Sequence, residues 1–342
     1  LQPASQPATR LLAACLLSST ATPYFVAPNP AMTPTALPRP IAAAHIMIFP
    51  EGDDKASDTP IKNWGHIRFD AVDLLLIHGF TSSKSGDFIV GDRLEARLKW
   101  VIDTAKGKNP NIKIFAQQNY GEDKLPLLAE KNLFQRYAAS VVPVLEKWGL
   151  HGYDLDYELE GGQVIPGVVQ LLADIHGHCA GKYLVSISPA EYTGLFDPHS
   201  ANLDKHPLQN HVDLVNLQTY SGGLMRPNDL AAWLRVFPPH KVLVGAWPES
   251  SGLRGDQANA WSVDQIEEVY ENARDTRGKL AGIHLWRLNS DVLVWENAAQ
   301  VMFYNYLHGG TGGKKNTNCT PEQIKAAWYQ DHNSVHKGWQ ST

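Results

Sequence analysis

Cysteine is scarce in this chain, which has 3 cysteines among 342 residues. If Cys15 is removed with a leader, Cys179 and Cys319 either form one disulfide or remain as two buried thiols. A hydrophobic content of 43% supports a full core. The fold is therefore expected to depend mainly on packing, and the length of the chain permits one large domain.

Long apolar runs and excess positive charge are also missing. No stretch approaches about 18 uninterrupted apolar residues, so we expect no membrane span. The formal net charge is −5, and the lysines and arginines are scattered, which argues against nucleic acids and anionic membranes as partners. No Gly-rich turn follows the first predicted strand to cradle a dinucleotide, which disfavours a doubly wound nucleotide-binding sheet.

Both ends of the chain differ in composition from its middle. Residues 1–40 are rich in Pro, Ala, Ser and Thr, and Arg10 precedes a short apolar run at residues 11–17. This pattern resembles a secretory signal, and a disordered leader is the alternative. Residues 309–342 form a tail with a Gly-rich linker and the glycosylation sequon Asn318-Cys319-Thr320. We predict a secreted protein whose tail packs on the preceding domain, because tryptophans are unusual in disordered tails.

Strand and helix patterns alternate between these two ends. Strand-like runs are predicted at Ala44–Phe49, Val72–Ile77, Ile112–Ala116, Gly152–Glu158, Tyr183–Ser188, Val212–Thr219, Lys241–Ala246 and Gly282–Trp286. Amphipathic helices are predicted at Asp92–Ala105, Glu130–Trp148, Gln163–His178, Asn228–Val236, Val263–Arg277 and Val294–Leu307. Eight successive β–α units favour an α/β fold, a (β/α)8 TIM barrel over residues 41–308.

The run Gly152–Glu158 places acids in an unusual order. Side chains alternate in a strand, so Asp154, Asp156 and Glu158 share one face, and stacking like charges there is unfavourable. The first and last acids lie about 13 Å apart, too far to surround one metal ion. Two interpretations compete with that metal site: a solvated strand face, and general acid catalysis in which crowding keeps one carboxyl protonated. We favour catalysis.

Polar and aromatic residues also end several other predicted strands. In a barrel, Glu158 lies at the carboxyl end of the fourth strand, where barrel enzymes place their chemistry. The equivalent strand ends carry Gln117 and Asn119, Gln218 and Tyr220, Trp247, and Trp286. Taken alone, Gln218 and Tyr220 would be a hydrogen-bonded pair in the barrel lining. Beside the acidic strand, they are better explained as part of a site.

These motifs together resemble those of family 18 glycoside hydrolases, the chitinases and endo-β-N-acetylglucosaminidases. Gly152-Tyr153-Asp154-Leu155-Asp156-Tyr157-Glu158 is similar to the family's fourth-strand signature D-G-x-D-x-D-x-E. Gln218-x-Tyr220 is similar to the Q-x-Y of plant-type chitinases, and Gly282-Ile283-His284-Leu285-Trp286 is similar to the last strand that supplies a tryptophan floor. The likeness covers roughly residues 42–308, and the acidic motif is its most specific part.

The resemblance implies substrate-assisted retention, in which the 2-acetamido oxygen of the substrate is the nucleophile. Glu158 would be the acid and then the base, Asp156 would orient the acetamido N–H, and Asp154 would tune Asp156. Tyr220 would hydrogen-bond the acetamido carbonyl and Trp286 would stack beneath the sugar. Further substrate contacts are expected from Gln218, Trp247, Gln117 and Asn119. We expect a monomer that uses no cofactor or metal and binds a polysaccharide or glycan containing N-acetylglucosamine.

Three departures from the family pattern bear on this interpretation. His151 replaces the leading Asp of the motif, where it would either hydrogen-bond Asp154 or change its charge with pH. The third strand lacks the S-x-G-G of many chitinases, and Ser221 stands where many carry Asp. The substrate is expected to be chitin or its oligomers. The alternatives are the chitobiose core of N-glycans, which some fungal enzymes cut, and a non-catalytic sugar-binding protein or inhibitor.

Overall fold

The computed structural model describes residues 37–49, 64–118, 124–158, 164–219, 227–246, 279–294 and 297–308. The predicted leader and the tail, with its sequon, lie outside these residues except for positions 37–40. So do the predicted helix Val263–Arg277 and Cys319. Cys179 is a free, buried thiol. No helix in the described ranges is long and apolar enough to cross a membrane.

Within the described ranges, nine strands form a single sheet, in the order β1-β9-β8-β7-β6-β5-β4-β2-β3. Parallel pairing of β1 with β2 closes eight of them into a ring, while β3 is antiparallel to β2. The strands are β1 Ile41–Met47, β2 Leu74–Ser82, β3 Phe88–Val90, β4 Lys113–Gln118, β5 Gly152–Tyr157, β6 Leu184–Pro189, β7 Leu214–Leu217, β8 Val242–Ala246 and β9 Gly282–Leu285. This closed parallel barrel confirms the predicted fold class.

Helices connect most of the strands, with boundaries that differ from the sequence prediction. They are α1 Glu95–Lys108, α2 Lys124–Glu130, α3 Phe134–Trp148, α4 Val168–Cys179, α5 Pro227–Val236, α6 Leu288–Val294 and α7 Ala298–Leu307. Asn132, Gly167 and Asn297 adopt left-handed backbone conformations, which interrupt helical hydrogen bonding. The helices predicted from positions 130, 163 and 294 therefore begin later, and the short helices α2 and α6 were missed.

The barrel interior changes from apolar to polar along the strands. An apolar layer fills the amino-terminal end, formed by Ile41, Ala43, Leu74, Leu76, Phe115, Leu214, Leu243 and Ala281. The next inward positions are polar on several strands, including His45, Gln117, Asp154, Ser186, Asn216 and His284. Buried polar groups are costly unless they are paired, so this change marks the carboxyl half of the barrel as the place to look for function.

Strand β5 shows how local sequence places the acids inward. Tyr153 and Leu155 face outward into the main core, and the Tyr137 hydroxyl from α3 lies 3.2 Å from the Tyr153 hydroxyl. At Gly152, an added Cβ would lie 2.7 Å from the Phe115 ring and 2.5 Å from the Leu184 carbonyl oxygen. Only glycine fits there, and it allows the Phe115 ring to fill the lumen beneath Asp154.

Candidate active site

The three acids of β5 lie at increasing exposure from the lumen to the mouth of the barrel. Asp154 is fully buried, Asp156 is 3% exposed, and Glu158 is partly buried just beyond the end of the strand. The structure therefore brings together the three carboxyl groups that the alternating pattern predicts on one face. Of these, Glu158 is the acid nearest the mouth.

Asp154 is enclosed by hydrogen-bond donors from the next two strands. Its carboxyl group accepts from the Ser186 hydroxyl, from the Ser188 hydroxyl at 2.8 Å, and from the Asn216 amide at 3.1 Å. Burial raises the pKa of Asp154 to about 6, and these donors limit the rise by stabilising the carboxylate. Asp154 therefore titrates closer to neutrality than an ordinary aspartate.

Gln218 joins the two outer acids. Its amide nitrogen lies 3.1 Å from Asp156 Oδ1, 2.6 Å from Glu158 Oε1 and 3.2 Å from the Ser188 carbonyl oxygen. An amide has two N–H groups, so these three acceptors compete for them. The side chain holds Asp156 and Glu158 together at the carboxyl end of the barrel.

The proximity of the acids changes their proton affinities. Burial raises the pKa of Asp156 well above its usual range, and the charges of Glu158 and Asp154 raise it further. Burial also raises the pKa of Glu158, while hydrogen bonds from Gln218 and Asp156 oppose that rise. Neighbouring carboxyl groups that resist joint ionisation retain a proton near neutral pH. The raised pKa values therefore favour a proton kept within this pair of carboxyl groups near neutral pH.

Aromatic rings and a histidine cover the opposite side of the site. His78, at the inward position near the end of β2, has its Nε2 3.8 Å from Asp156 Oδ2. Its ring packs 5.6 Å from Trp286 and edge-on at 5.7 Å to Phe49. The sequence analysis missed His78, although the alternation of Leu74, Leu76 and His78 along β2 carried the signal.

The remaining predicted contacts divide into two groups. Trp286 is half-buried beside His78 at the mouth, where a sugar ring could reach it. Gln117 is fully buried one layer lower, with its amide oxygen 2.9 Å from His45 Nδ1. It is placed in the lumen beside Asp154 rather than at the mouth of the barrel. The other three predicted residues lie outside the described ranges: Asn119, Tyr220 and Trp247.

The family model of glycosyl hydrolases family 18 matches residues 60–291 of this chain. The chain belongs to this family. No curated protein matches its sequence significantly. Within the described residues, no group of three or more His, Cys, Asp or Glu side chains is arranged to hold a metal ion.

Solved structures of family 18 proteins share the fold. A GH18 chitinase from Cycas revoluta, in complex with (GlcNAc)3, superposes with a TM-score of 0.56 at 14% identity, covering 78% of this chain and 99% of the other. A class V chitinase from Nicotiana tobaccum gives 0.55 at 13% identity, covering 78% and 99%. A fungal endo-β-N-acetylglucosaminidase of family 18 gives 0.56 at 16% identity, covering 78% and 98%. At these identities the likeness concerns the fold.

His151 is this chain's departure from the family 18 motif, and it does not bind Asp154. Its Nδ1 accepts a hydrogen bond from the Ile114 backbone N–H at 3.1 Å, at the start of the strand pairing. Burial, with the charges of Lys113 and Lys106, lowers the pKa of His151 to about 4. The imidazole is therefore neutral at pH 7 and accepts this backbone hydrogen bond without carrying a charge.

We expect His151 to make the fold sensitive to acid. The unfolded chain takes up a proton at this residue near pH 6.5, whereas the folded chain does so only near pH 4. Stability is therefore fully present above pH 6.5 and is lost as the pH falls towards 4. The full shift corresponds to about 3 kcal/mol, and partial exposure reduces this to about 2 kcal/mol. The His151→Gln variant keeps an acceptor for the Ile114 N–H and should lack this loss.

Urea unfolding at pH 7 and pH 4.5 measures the effect as a difference between variant and parent. That difference isolates His151. The raised pKa of Asp154 changes stability with pH in the opposite direction, but it does so equally in both proteins and therefore cancels. The exposed His178 on α4 provides the control, since His178→Gln should leave the pH dependence unchanged. Parallel stability curves for the parent and His151→Gln would refute the assignment.

A second glutamate also follows a barrel strand but lies apart from the acids. Glu191 comes just after β6, and its carboxylate accepts from the Thr193 hydroxyl at 3.4 Å. Burial raises the pKa of Tyr157, on the outward-facing side of β5 with Leu155, and the charge of Glu191 raises it further. Glu191 therefore lies beside the outer face of that strand, away from the row of acids in the lumen.

Proposed function

We propose that this family 18 protein is a retaining endo-glycosidase that cleaves β-1,4 bonds next to N-acetylglucosamine, with chitin or its oligomers as substrate. The observation that carries the proposal is the Gln218 bridge between Asp156 and Glu158 at the barrel mouth. It keeps a protonated carboxyl next to a second acid, as acid catalysis beside a developing positive charge requires.

In the first step, Glu158 gives its proton to the glycosidic oxygen as the bond to the anomeric carbon breaks. The raised pKa of Glu158 keeps that proton in place near neutral pH. The acetamido oxygen of the same sugar attacks the anomeric carbon and closes an oxazolinium ring. Asp156 accepts the acetamido N–H and, as an anion, balances the positive charge of the ring.

In the second step, Glu158 acts as a base. It takes a proton from a water molecule, whose oxygen attacks the anomeric carbon and opens the oxazolinium ring. Two inversions at that carbon give net retention, and Glu158 regains the proton it lost. Tyr220 and Trp247 remain predicted contacts to the acetamido group and the sugar, and Trp286 is expected to stack beneath the ring.

The burial of the inner acids favours a nucleophile supplied by the substrate. Asp154 is fully buried and Asp156 is 3% exposed, with Oδ1 of Asp156 accepting from Gln218. Neither can approach an anomeric carbon located beyond Glu158 without giving up these contacts. Retention by two protein carboxylates requires them about 5–5.5 Å apart across the sugar, whereas Asp156 and Glu158 interact directly with each other.

An endo-β-N-acetylglucosaminidase is the second candidate. The sequence Gln218-Thr219-Tyr220-Ser221-Gly222 resembles that of some fungal enzymes of this type, and a fungal endo-β-N-acetylglucosaminidase is among the structural neighbours. Both activities would use the same acids, because both substrates carry N-acetylglucosamine at the cleaved bond. The loops that would distinguish them follow the strand ends.

Product analysis tests the proposal directly. The full chain is incubated separately with a chitin hexasaccharide and with a glycoprotein carrying high-mannose N-glycans, and the products are resolved by mass spectrometry. We expect chitobiose and chitotriose from the first, with the β-anomer formed initially. Release of glycans that leaves one N-acetylglucosamine on the protein would instead support the second candidate. Binding of the hexasaccharide without any product would indicate a sugar-binding protein and overturn the proposal.

A further inference from the structure

A chain of buried hydrogen bonds crosses the lumen beside Asp154 and beneath Asp156 and Glu158. Gln117 Oε1 lies 2.9 Å from His45 Nδ1, and His45 Nε2 lies 3.1 Å from His284 Nδ1. His284 Nε2 lies 2.8 Å from the Leu217 carbonyl oxygen. The three side chains are at most 1% exposed. Four strands, β1, β4, β7 and β9, thus contribute to one continuous polar chain.

A count of protons shows that two neutral histidines cannot make all three of these hydrogen bonds if Gln117 Oε1 lies at one end and the Leu217 carbonyl oxygen at the other. Each of the three links needs one proton, and a carbonyl oxygen can only accept. All three protons would then lie on the two imidazole rings. Two neutral imidazoles carry two protons in total, so one ring would have to be a cation.

Burial opposes that cation. It lowers the pKa of His45 to about 4 and that of His284 well below its usual range. Among the described residues, the buried titratable groups on the strands next to β4 are Asp154 and His78, both register partners of Gln117, and Asp156, two residues further along β5. Within the described residues, none of these three groups has a hydrogen bond to either ring.

Turning the Gln117 amide by half a turn resolves the conflict without moving any other group. The oxygen and nitrogen of an amide have nearly the same shape, so hydrogen bonding decides their positions. With the nitrogen towards His45, the amide donates, His45 donates to His284, and His284 donates to Leu217. Two neutral rings then satisfy all three links. In the opposite orientation the amide N–H lies towards Asp154 and stabilises its carboxylate, but the link to His45 then needs a proton that two neutral rings cannot supply.

The turned amide changes the surroundings of Asp154. Gln117 is the register partner of Asp154 on the adjacent parallel strand, and its amide interacts with that carboxyl group. An amide N–H facing Asp154 would stabilise the carboxylate, whereas an amide oxygen stabilises the protonated acid. With Asp154 protonated, the negative charge of the three acids lies on Asp156 and Glu158.

We propose that His45 and His284 are neutral positioning residues that hold the Gln117 oxygen towards Asp154, and thereby keep a proton on Asp154. The catalytic meaning of this arrangement rests on the proposed function, in which Asp156 must be the anion. The placement of the protons does not depend on activity. One experiment on the protons and one on the kinetics therefore test the two ideas separately.

The first experiment is ¹⁵N NMR of the full chain labelled at histidine nitrogens, at pH 7, with assignments from His45→Gln and His284→Gln samples. We expect both rings to be neutral, with the proton on Nε2 and with Nδ1 unprotonated. A doubly protonated ring, or a proton on Nδ1 of either neutral ring, would overturn the proposal. This result stands even if the protein hydrolyses nothing.

The second experiment compares the pH profile of kcat for the parent and His284→Phe on a chitin oligosaccharide. Removal of the His284 ring breaks the chain of hydrogen bonds and frees the Gln117 amide to donate to Asp154. That donation stabilises the Asp154 carboxylate. The pH at which kcat falls on the basic side of the profile should therefore decrease by about one unit. KM should change less than kcat. The matched control is His176→Gln on α4, whose ring packs against His211 outside the lumen. An unshifted limb with a uniformly lower kcat would show a structural role only and would overturn the proposal.

Discussion

Replacement of Glu158 by glutamine should lower kcat on a chitin oligosaccharide by about 10³-fold while changing KM much less. The variant keeps the size of the side chain and a hydrogen bond with Gln218, which lies 2.6 Å from the native carboxylate. It loses the proton that must reach the glycosidic oxygen, and acid–base catalysis contributes about 10²–10⁴ in rate. Steady-state kinetics measure the loss of kcat, and calorimetric titration with the intact oligosaccharide measures separately whether substrate binding is retained.

The matched control is Glu191→Gln, which changes the other strand-end glutamate in the same chemical way. Because Glu191 lies beside Tyr157 on the outer side of β5, kcat should stay within a few-fold of the parent. Hydrolysis by Glu158→Gln at the parent rate would contradict the assignment of the general acid. Equal losses in both variants would indicate that the damage is structural.

The Asp156→Asn variant should lose about 10²-fold or more in kcat and yet unfold at the same or a higher urea concentration. The loss follows from removing the anion that balances the oxazolinium charge. Stability behaves differently because the pKa of Asp156 is raised well above its usual range. A carboxyl group with a raised folded pKa costs stability at pH values above its unfolded pKa, and the neutral amide removes that cost while still accepting from Gln218.

The control for this prediction is Asp103→Asn, on the exposed face of α1. Asp103 pairs with Lys99 at 2.6 Å, and both side chains are more than 60% exposed, so the pair contributes little to stability. Neither kcat nor the unfolding midpoint should change measurably. A marked loss of stability in Asp156→Asn, without a loss of kcat, would show that Asp156 is a structural residue and would refute its catalytic role.

The barrel could be predicted because its signals are local. A strand repeats every two residues and a helix every 3.6, so apolar spacing identified the eight strands of the ring in order. Helix boundaries were less accurate because left-handed residues such as Asn132 and Asn297 follow from local turns rather than from apolar spacing. The short hairpin strand β3 and the helix α6 carried too few residues to show a period.

The candidate site could be predicted only where one strand carries it. Asp154, Asp156 and Glu158 share a face because of alternation alone, and family resemblance added Gln218. The position of Gln117 relative to the mouth could not be predicted, because depth in the lumen depends on how neighbouring strands are staggered. His78 and His45 were missed for a related reason, since an isolated histidine in an apolar strand has no distinctive pattern.

The sequence by itself determined the order of the elements, the closed parallel fold and the row of three inward acids. The tertiary structure alone decided which groups meet those acids: Gln218 on Asp156 and Glu158, the donors around Asp154, and the hydrogen-bonded Gln117, His45 and His284 beside Asp154. The physical reason is distance along the chain. Alternation acts between neighbouring residues, whereas the hydrogen bond between His45 and His284 joins positions 239 residues apart, and only closure of the barrel brings such side chains within reach.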